Sequence, residues 1–311
     1  MANALITGVS GFVGHHLVSA LHSEGHCVTG IDRTLPRPDH PASEIRVAVG
    51  ELRDSGTVAR LLAEAHIDWI FHLAGSSGTS AEMELYENNV FGSVALLEAA
   101  QVSRRPLRIV IVASSAIYGE SSNAEPLNEF ALLQPLSPYG VSKATVDLLG
   151  FQFCRRTGIP VLRARPFNIV GPAQSPAFFC SAVAQQVALA ERGQIEPVIH
   201  VRGVDTERDF VDVRDVADAL VSIAKSGTSG EAYNVCSGVA TPLHSVVEHM
   251  LNCAKVRMSV VADVPQPAGY PDVQTQRGCY GKLQTASGWS PQISLRQSLD
   301  DTLNYWRERE Q

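Results

Sequence analysis

The 311-residue sequence predicts an α/β protein built as a doubly wound parallel sheet with a smaller α/β C-terminal lobe. Three observations carry this. A short apolar strand runs straight into a G-x-x-G-x-x-G turn that opens an amphipathic helix. Strand and helix patterns then alternate through the first half, which calls for parallel strands joined by right-handed crossovers. Finally, Tyr139 and Lys143 stand four residues apart after a Ser-Ser pair that precedes them by about one strand-to-helix loop. Together they make the sheet Rossmann-type.

The first strand, Ala4 to Thr7, delivers the chain into Gly8-Val9-Ser10-Gly11-Phe12-Val13-Gly14. Gly8 permits a tight turn, Gly11 lets the backbone approach a pyrophosphate, and Gly14 lets the next helix pack closely. The free N–H groups at that helix's start suit phosphate. Leu17 and Leu21 mark its buried side, and the strand Cys27 to Ile31 ends at Asp32. There a carboxylate binds adenosine ribose hydroxyls and repels a 2′-phosphate, which favours NAD(H). Arg33 follows directly and could meet such a phosphate, so NADP(H) stays open.

The strand Arg46 to Val49 leads to Glu51-Leu52-Arg53-Asp54, a loop placed to lie against adenine, and then to a helix over Val58 to Ala65. His72, inside the apolar strand Trp69 to Gly75, reads as a packed structural histidine in preference to a catalytic one. Asn89 to Gly92 opens a helix with Leu96 and Leu97 in the core, and Arg108 to Ala113 is a strand ending at Ser114.

If the residues after Pro138 are helical, Tyr139 and Lys143 leave one helix face. A lysine ammonium there would lower the phenol's pKa, and Ser114 from the neighbouring strand end would bridge phenol and substrate oxygen. Ser114, Tyr139 and Lys143 thus read as one catalytic unit. After the strand Val161 to Arg165, prolines and glycines cluster over Pro166 to Pro172. A helix over Ala182 to Glu191, a short strand near Pro197 to Val201, a helix over Asp215 to Ala224 and the stretch Tyr233 to Gly238 follow. The expected division is 1–166, rejoined by about 210–238, against a smaller lobe of 167–209 and 239–311, with Gly288-Trp289 in that lobe.

Net charge is −7 without a basic block or an aromatic-basic stripe, so no nucleic-acid partner is expected. Six scattered cysteines without C-x-x-C or histidines at metal spacing read as reduced thiols, with no metal. No run approaches membrane-spanning length, and the start runs into a strand without a charged, then apolar, leader. A cytoplasmic protein is the expectation.

On TGVSGFVG, FHLAG, NNVFGS, SSAIYG, SPYGVSK, RPFNIVGP, RDFVDVRDV, YNVCSG and SGWSP, the chain resembles an extended short-chain dehydrogenase/reductase of the nucleotide-sugar-modifying type over nearly its whole length. The resemblance implies a cofactor held by Gly8, Gly11, Phe12, Val13, Gly14, Asp32, Arg33, Leu52, Leu73 and Ala74, with Tyr139 and Lys143 at the nicotinamide ribose. It implies that Asn168 and Arg208, and Arg277 more weakly, meet the sugar-nucleotide, where an arginine fork matches phosphate. It implies a homodimer through the Tyr139 helix, which the sequence allows at Ala144, Val146, Leu148 and Leu149, residues that could equally be ordinary core.

SPYGVSKATV, RPFNIVGPAQS and ERDFVDVRDV are most similar to reductases of the C4 ketone of a GDP-4-keto-6-deoxyhexose. A nucleotide-sugar 4-epimerase with retained NAD is the rival. Dehydratases of this superfamily resemble S-T-[DS]-E-x-Y-G where this chain has Ser115, Ala116 and Ile117; with no carboxylate beside Ser114, elimination lacks its acid or base. A non-catalytic nucleotide-binding protein is a third class, at odds with the intact Ser-Tyr-Lys set. Two further departures are Glu51, where many relatives carry Asp, and Gly269 to Asp272, which lacks the relatives' R-P-x-[DE].

Overall fold

The computed structural model describes residues 1–64, 66–78, 80–121, 125–262 and 273–309. The departure at Gly269 to Asp272 lies outside them. Seven parallel strands form the central sheet: β1 (Asn3–Thr7), β2 (Cys27–Asp32), β3 (Arg46–Val49), β4 (Trp69–His72), β5 (Arg108–Val112), β6 (Val161–Pro166) and β10 (Ala232–Val235). Their order is β10-β6-β5-β4-β1-β2-β3, and the register pairs Thr7 with His72 and Val112 with Ala164.

The strands read as apolar runs because both faces are covered. Ala4, Ile6, Phe71, Val110 and Val112 point to one side, where they meet α1 (Phe12–Ser23) and α7 (Val213–Ser226). Leu5, Ile70, Ile109 and Ile111 point to the other, against α2 (Ser55–Glu64), α4 (Gly92–Ser103) and α5 (Pro138–Thr157). Period-two alternation across a pleated sheet produces this division.

Helix starts differ from the sequence expectation where a capping group intervenes. The helix expected from Asp215 begins at Val213, because the Asp212 carboxylate accepts from the Arg214 N–H as N-cap. The helix expected from Ala182 begins at Phe179. The helix expected to open at Asn89 is preceded by a short helix α3 (Glu82–Leu85) and a π-turn over Tyr86–Phe91, which continues into α4. Trp289, expected in the smaller lobe, packs with Leu283 and the α7 side chains in the first-half core, its indole N–H donating to the Asp215 carbonyl at 3.1 Å.

The lobe beyond β6 has its own core. Helix α6 (Phe179–Glu191), α8 (Leu243–Cys253) and α10 (Leu295–Glu308) pack through Val183, Val187, Val246, Met250, Leu299 and Leu303. Short strands complete it. Strand β9 (Glu207–Asp212) pairs with β7 (Asn168–Val170), β11 (Ala240–Pro242) and β13 (Thr275–Gln276), while β8 (Val198–His200) pairs with β12 (Ser259–Val261). Helix α9 (Gly281–Ser287) lies between β13 and α10 in sequence.

Candidate active site

A cavity of about 940 Å³ opens at the C-terminal ends of β1, β2, β4 and β5, where doubly wound sheets place their ligands. Its floor begins with the glycine turn. Gly8 has φ +73°, and a Cβ there would sit 2.8 Å from the Ala74 backbone. A Cβ on Gly14 would come within 2.4 Å of the Val9 carbonyl oxygen, so glycine lets α1 seat against the turn itself. Helix α1 starts without a side-chain cap, and Gly11, Phe12 and Val13 line the cavity, leaving its first N–H groups for a ligand.

Asp32 closes the end of β2. Its two carboxylate oxygens accept from the Ser10 N–H at 2.9 Å and the Arg33 N–H at 2.7 Å, which fixes the carboxylate toward the cavity. Arg33, Leu52, Leu73 and Ala74 line the same end.

Helix α5 delivers the opposite wall. Ser137 caps it by accepting from the Gly140 N–H, Pro138 fits the first turn, and Gly158 in the left-handed region ends it. Tyr139 and Lys143 leave it one turn apart and both line the cavity with Ser114, which lies just past β5. The Lys143 ammonium donates to the Val112 carbonyl at 2.9 Å, and burial pulls its pKa down to about 8. Burial pushes the Tyr139 phenol up, and a hydrogen bond with the Ser114 hydroxyl draws it partly back. This corrects the expectation that Lys143 lowers the phenol: its ammonium is turned to the β5 backbone, and desolvation dominates.

Behind these residues lies a hydrogen-bonded chain. Ser93 Oγ donates to the Asn89 carbonyl at 2.5 Å, so it accepts from His72 Nε2 at 2.8 Å; His72 Nδ1 then accepts from Thr7 Oγ1 at 2.8 Å, which itself accepts from the Ala74 N–H. That fixes a neutral tautomer, and burial takes the His72 pKa down to about 3. His72 is structural. Asn89, 1 % exposed, holds the Ser76 N–H at 2.6 Å and donates to Ser142 Oγ at 2.9 Å, which donates to the Tyr139 carbonyl. It ties the loop after β4 to α5. A π-turn, often found beside functional sites, carries it, and the sequence reading saw only a helix start there.

Beside Ser114, the Ser115 hydroxyl donates to Gln276 Oε1 at 2.8 Å, while Gln276 Nε2 donates to the Ser115 and Gly119 carbonyls. Gln276 comes from β13 and went unnoticed in the sequence, where 161 residues separate the pair. Among the described residues lining the cavity, the only acidic ones are Asp32 and Glu51, both at the β2–β3 end.

Asn168 and Arg208 line the lobe side of the cavity. Asn168 donates to the Asp209 carbonyl at 3.1 Å, and Arg208 donates to the Glu207 and Val273 carbonyls. Arg277 is not among the lining residues; its carbonyl accepts from the Leu127 N–H. Gln174, also missed, lines the cavity with Nε2 donating to the Ile169 carbonyl and a buried Oε1 that has no partner among the described residues.

The profile of the GDP-mannose 4,6 dehydratase family matches residues 5–302. The GDP-6-deoxy-D-mannose reductase of Pseudomonas aeruginosa is 30% identical over 98% of this chain and 97% of its own. The structure of RMD from Pseudomonas aeruginosa complexed with NADPH superposes with a TM-score of 0.87 at 29% identity, covering 100% of both chains. A UDP-glucose 4-epimerase from Thermotoga maritima, solved with UDP-glucose, gives 0.87 at 25% identity over 98% of this chain and 99% of that one. With the glycine turn, the Ser-Tyr-Lys wall and these full-length matches, the chain belongs to the GDP-mannose 4,6 dehydratase family, among the nucleotide-sugar-modifying enzymes of the extended short-chain dehydrogenase/reductase class.

Proposed function

We propose that this enzyme reduces the C4 ketone of a GDP-4-keto-6-deoxyhexose. The observation that carries the reading is the wall around Ser114: a tyrosine and a lysine stand beside it, and the neighbouring position is a closed Ser115–Gln276 pair. A reduction needs one proton donor at the emerging oxyanion. Elimination of water needs a carboxyl group that this wall does not offer.

The turn at Gly8 and Gly14, whose close approaches leave no room for a Cβ, fits a dinucleotide pyrophosphate over the start of α1. Asp32 would hold the adenosine ribose, which favours NAD(H), while Arg33 provides a partner for the 2′-phosphate of NADP(H). Leu52, Leu73 and Ala74 would flank the cofactor, with Lys143 at its nicotinamide ribose. When bound, it supplies hydride to the ketone. Tyr139 protonates the oxygen, Ser114 shares that hydrogen bond, and Lys143 keeps the phenol in register. Residues 1–166 and 210–238 would serve the cofactor, and 167–209 with 239–311 the nucleotide sugar. Asn168 and Arg208 are assigned to its pyrophosphate; Arg277 is the weaker candidate. The guanine base is supported by the family matched and by the reductase of Pseudomonas aeruginosa.

The same three residues serve a 4-epimerase, and the Thermotoga maritima likeness favours that second reading. Cofactor content separates the two. A reductase should purify largely free of NAD and need NADH or NADPH added for each turnover; stoichiometric NAD in the purified protein, with hexose interconversion and none added, would establish the epimerase. A homodimer through α5 is proposed as well, on the exposed apolar side chains Val141, Leu148 and Phe151. Of the four positions expected at that interface, Ala144 and Val146 are buried in the chain's own core and Leu149 packs against it, which leaves Leu148 on the ridge.

A further inference from the structure

The smaller lobe carries a cluster that the proposed reaction does not use. The sequence reading expected no metal and no histidine at ligand spacing, yet His249 and Cys253 stand four residues apart on α8 and therefore share a helix face, and Asp300 on α10 stands against both. His249 Nε2 lies 2.7 Å from Asp300 Oδ1, Cys253 Sγ lies 3.5 Å from the same oxygen, and Cys253 Sγ lies 3.8 Å from His249 Nε2. None of the three lines the cavity. The helices that present them are fixed by Val246, Met250, Leu299 and Leu303 in the lobe's core, so the donors sit on rigid elements. The side chains of His249 and Asp300 are 14% and 44% exposed, which gives an ion a way in from solvent.

A tetrahedral ion with bonds of about 2.3 Å to sulfur and about 2.0–2.2 Å to nitrogen and oxygen separates its donors by about 3.3–3.6 Å. The two distances involving sulfur already match this to within a few tenths of an ångström. Only the His249–Asp300 pair must open, by about 0.6 Å, as its hydrogen bond gives way to two metal bonds. We propose that His249, Cys253 and Asp300 form a binding site for a zinc-class divalent cation, completed by a water molecule, that clamps α8 to α10. The donor set selects the ion: a thiolate and an imidazole suit zinc and its neighbours, whereas magnesium and calcium demand oxygen ligands. The thiol proton leaves to solvent on binding, and His249 binds as the neutral imidazole with its proton on Nδ1. Arg307, beside Cys253, is held by Glu191 in a paired hydrogen bond at 2.7 and 2.8 Å, which offsets its charge near the site.

The test is a Co²⁺ titration of the full chain in chelator-treated buffer, read by thiolate-to-cobalt charge-transfer absorption, followed by Zn²⁺ displacement. The site predicts a saturable band at one ion per chain, abolished by Zn²⁺ and untouched by excess Mg²⁺. Cys253→Ser should lose the band, whereas Cys279→Ser should keep it. His249→Ala and Asp300→Asn should each weaken Zn²⁺ binding by at least the roughly 10- to 100-fold that loss of an outer-shell partner costs. Zn²⁺ should raise the melting temperature of the wild type but not of Asp300→Asn, a near-isosteric change that also serves if Cys253→Ser fails to fold. NAD(P)H binding, followed by fluorescence, should be the same in all of them. A missing band, a band that survives in Cys253→Ser, or a Zn²⁺ affinity unchanged in Asp300→Asn would overturn the site.

Discussion

In the proposed reduction, Tyr139, Lys143 and Ser114 divide one task. The phenol, raised by burial, is protonated at neutral pH and so is a donor, as reduction of a ketone requires. Lys143, brought down to about 8 by burial, keeps a charge in the wall at neutral pH. A spacing of four residues is one turn of helix, and it made Tyr139 and Lys143 legible only in company with the glycine turn and the Ser114-Ser115 pair. His72 was legible as structural from its apolar neighbours, although its partners were not: Thr7 and Ser93 arrive from another strand and another helix. That environment has a measurable consequence. The folded-state pKa of His72 is about 3 against 6.5 ordinarily, so its contribution is fully present above pH 6.5 and falls as pH drops from 6.5 toward 3, where the unfolded chain binds a proton that the native one refuses. The slope is about 1.4 kcal/mol per pH unit. Urea unfolding between about pH 7 and pH 5 should show His72→Asn losing less stability than wild type over that range; equal losses would contradict the assignment.

At the scale of the element, α5 is the part on which the site depends, and its second anchor is electrostatic. Asp147, two turns beyond Tyr139, is fully buried and accepts from Arg163 at 2.5 Å and from Arg165 at 2.9 and 2.7 Å, binding α5 to β6. Arg165 passes the contact on to the Tyr118 hydroxyl at 2.8 Å. Removing one partner of a buried pair strands the others, so Asp147→Ala should cost about 3–5 kcal/mol in denaturant unfolding. Loss of the exposed Arg46–Glu64 pair should cost no more than about 1 kcal/mol, and equal effects would refute the distinction. The sequence showed α5 as a helix but not this anchor, since nothing in SPYGVSKATVDLLG tells a buried carboxylate from a solvated one. The strands of the sheet were legible to within one to three residues, the widest miss being β4, read as Trp69 to Gly75 and ending at His72, because apolar runs between turns leave few alternatives. The π-turn at Asn89 and the Ser115–Gln276 pair were not, because each depends on what a distant segment brings to it.

At the scale of the molecule, the cavity lies between the parallel sheet and a lobe with a separate core, which under the proposed function lets cofactor and sugar-nucleotide reach the Ser-Tyr-Lys wall from opposite sides. The alternation of strand and helix gave away the first half. The second half was harder to read because its strands are two to six residues long and pair across wide separations. Self-association belongs to this scale too. Leu148, 54% exposed on α5, is expected at the dimer interface, and Leu148→Glu should turn a dimer into a monomer in sedimentation equilibrium; an unchanged mass would remove α5 from the interface. The central claim is a reduction at C4 with Tyr139 as proton donor. Its most direct test follows the oxidation of NADH and NADPH in parallel by wild type and Tyr139→Phe supplied with freshly generated GDP-4-keto-6-deoxymannose. The account predicts rapid oxidation by the wild type, a rate lower by about 10²–10⁴-fold in Tyr139→Phe, and unimpaired cofactor binding in the variant. No oxidation by the wild type, or a near-normal rate in Tyr139→Phe, would contradict it.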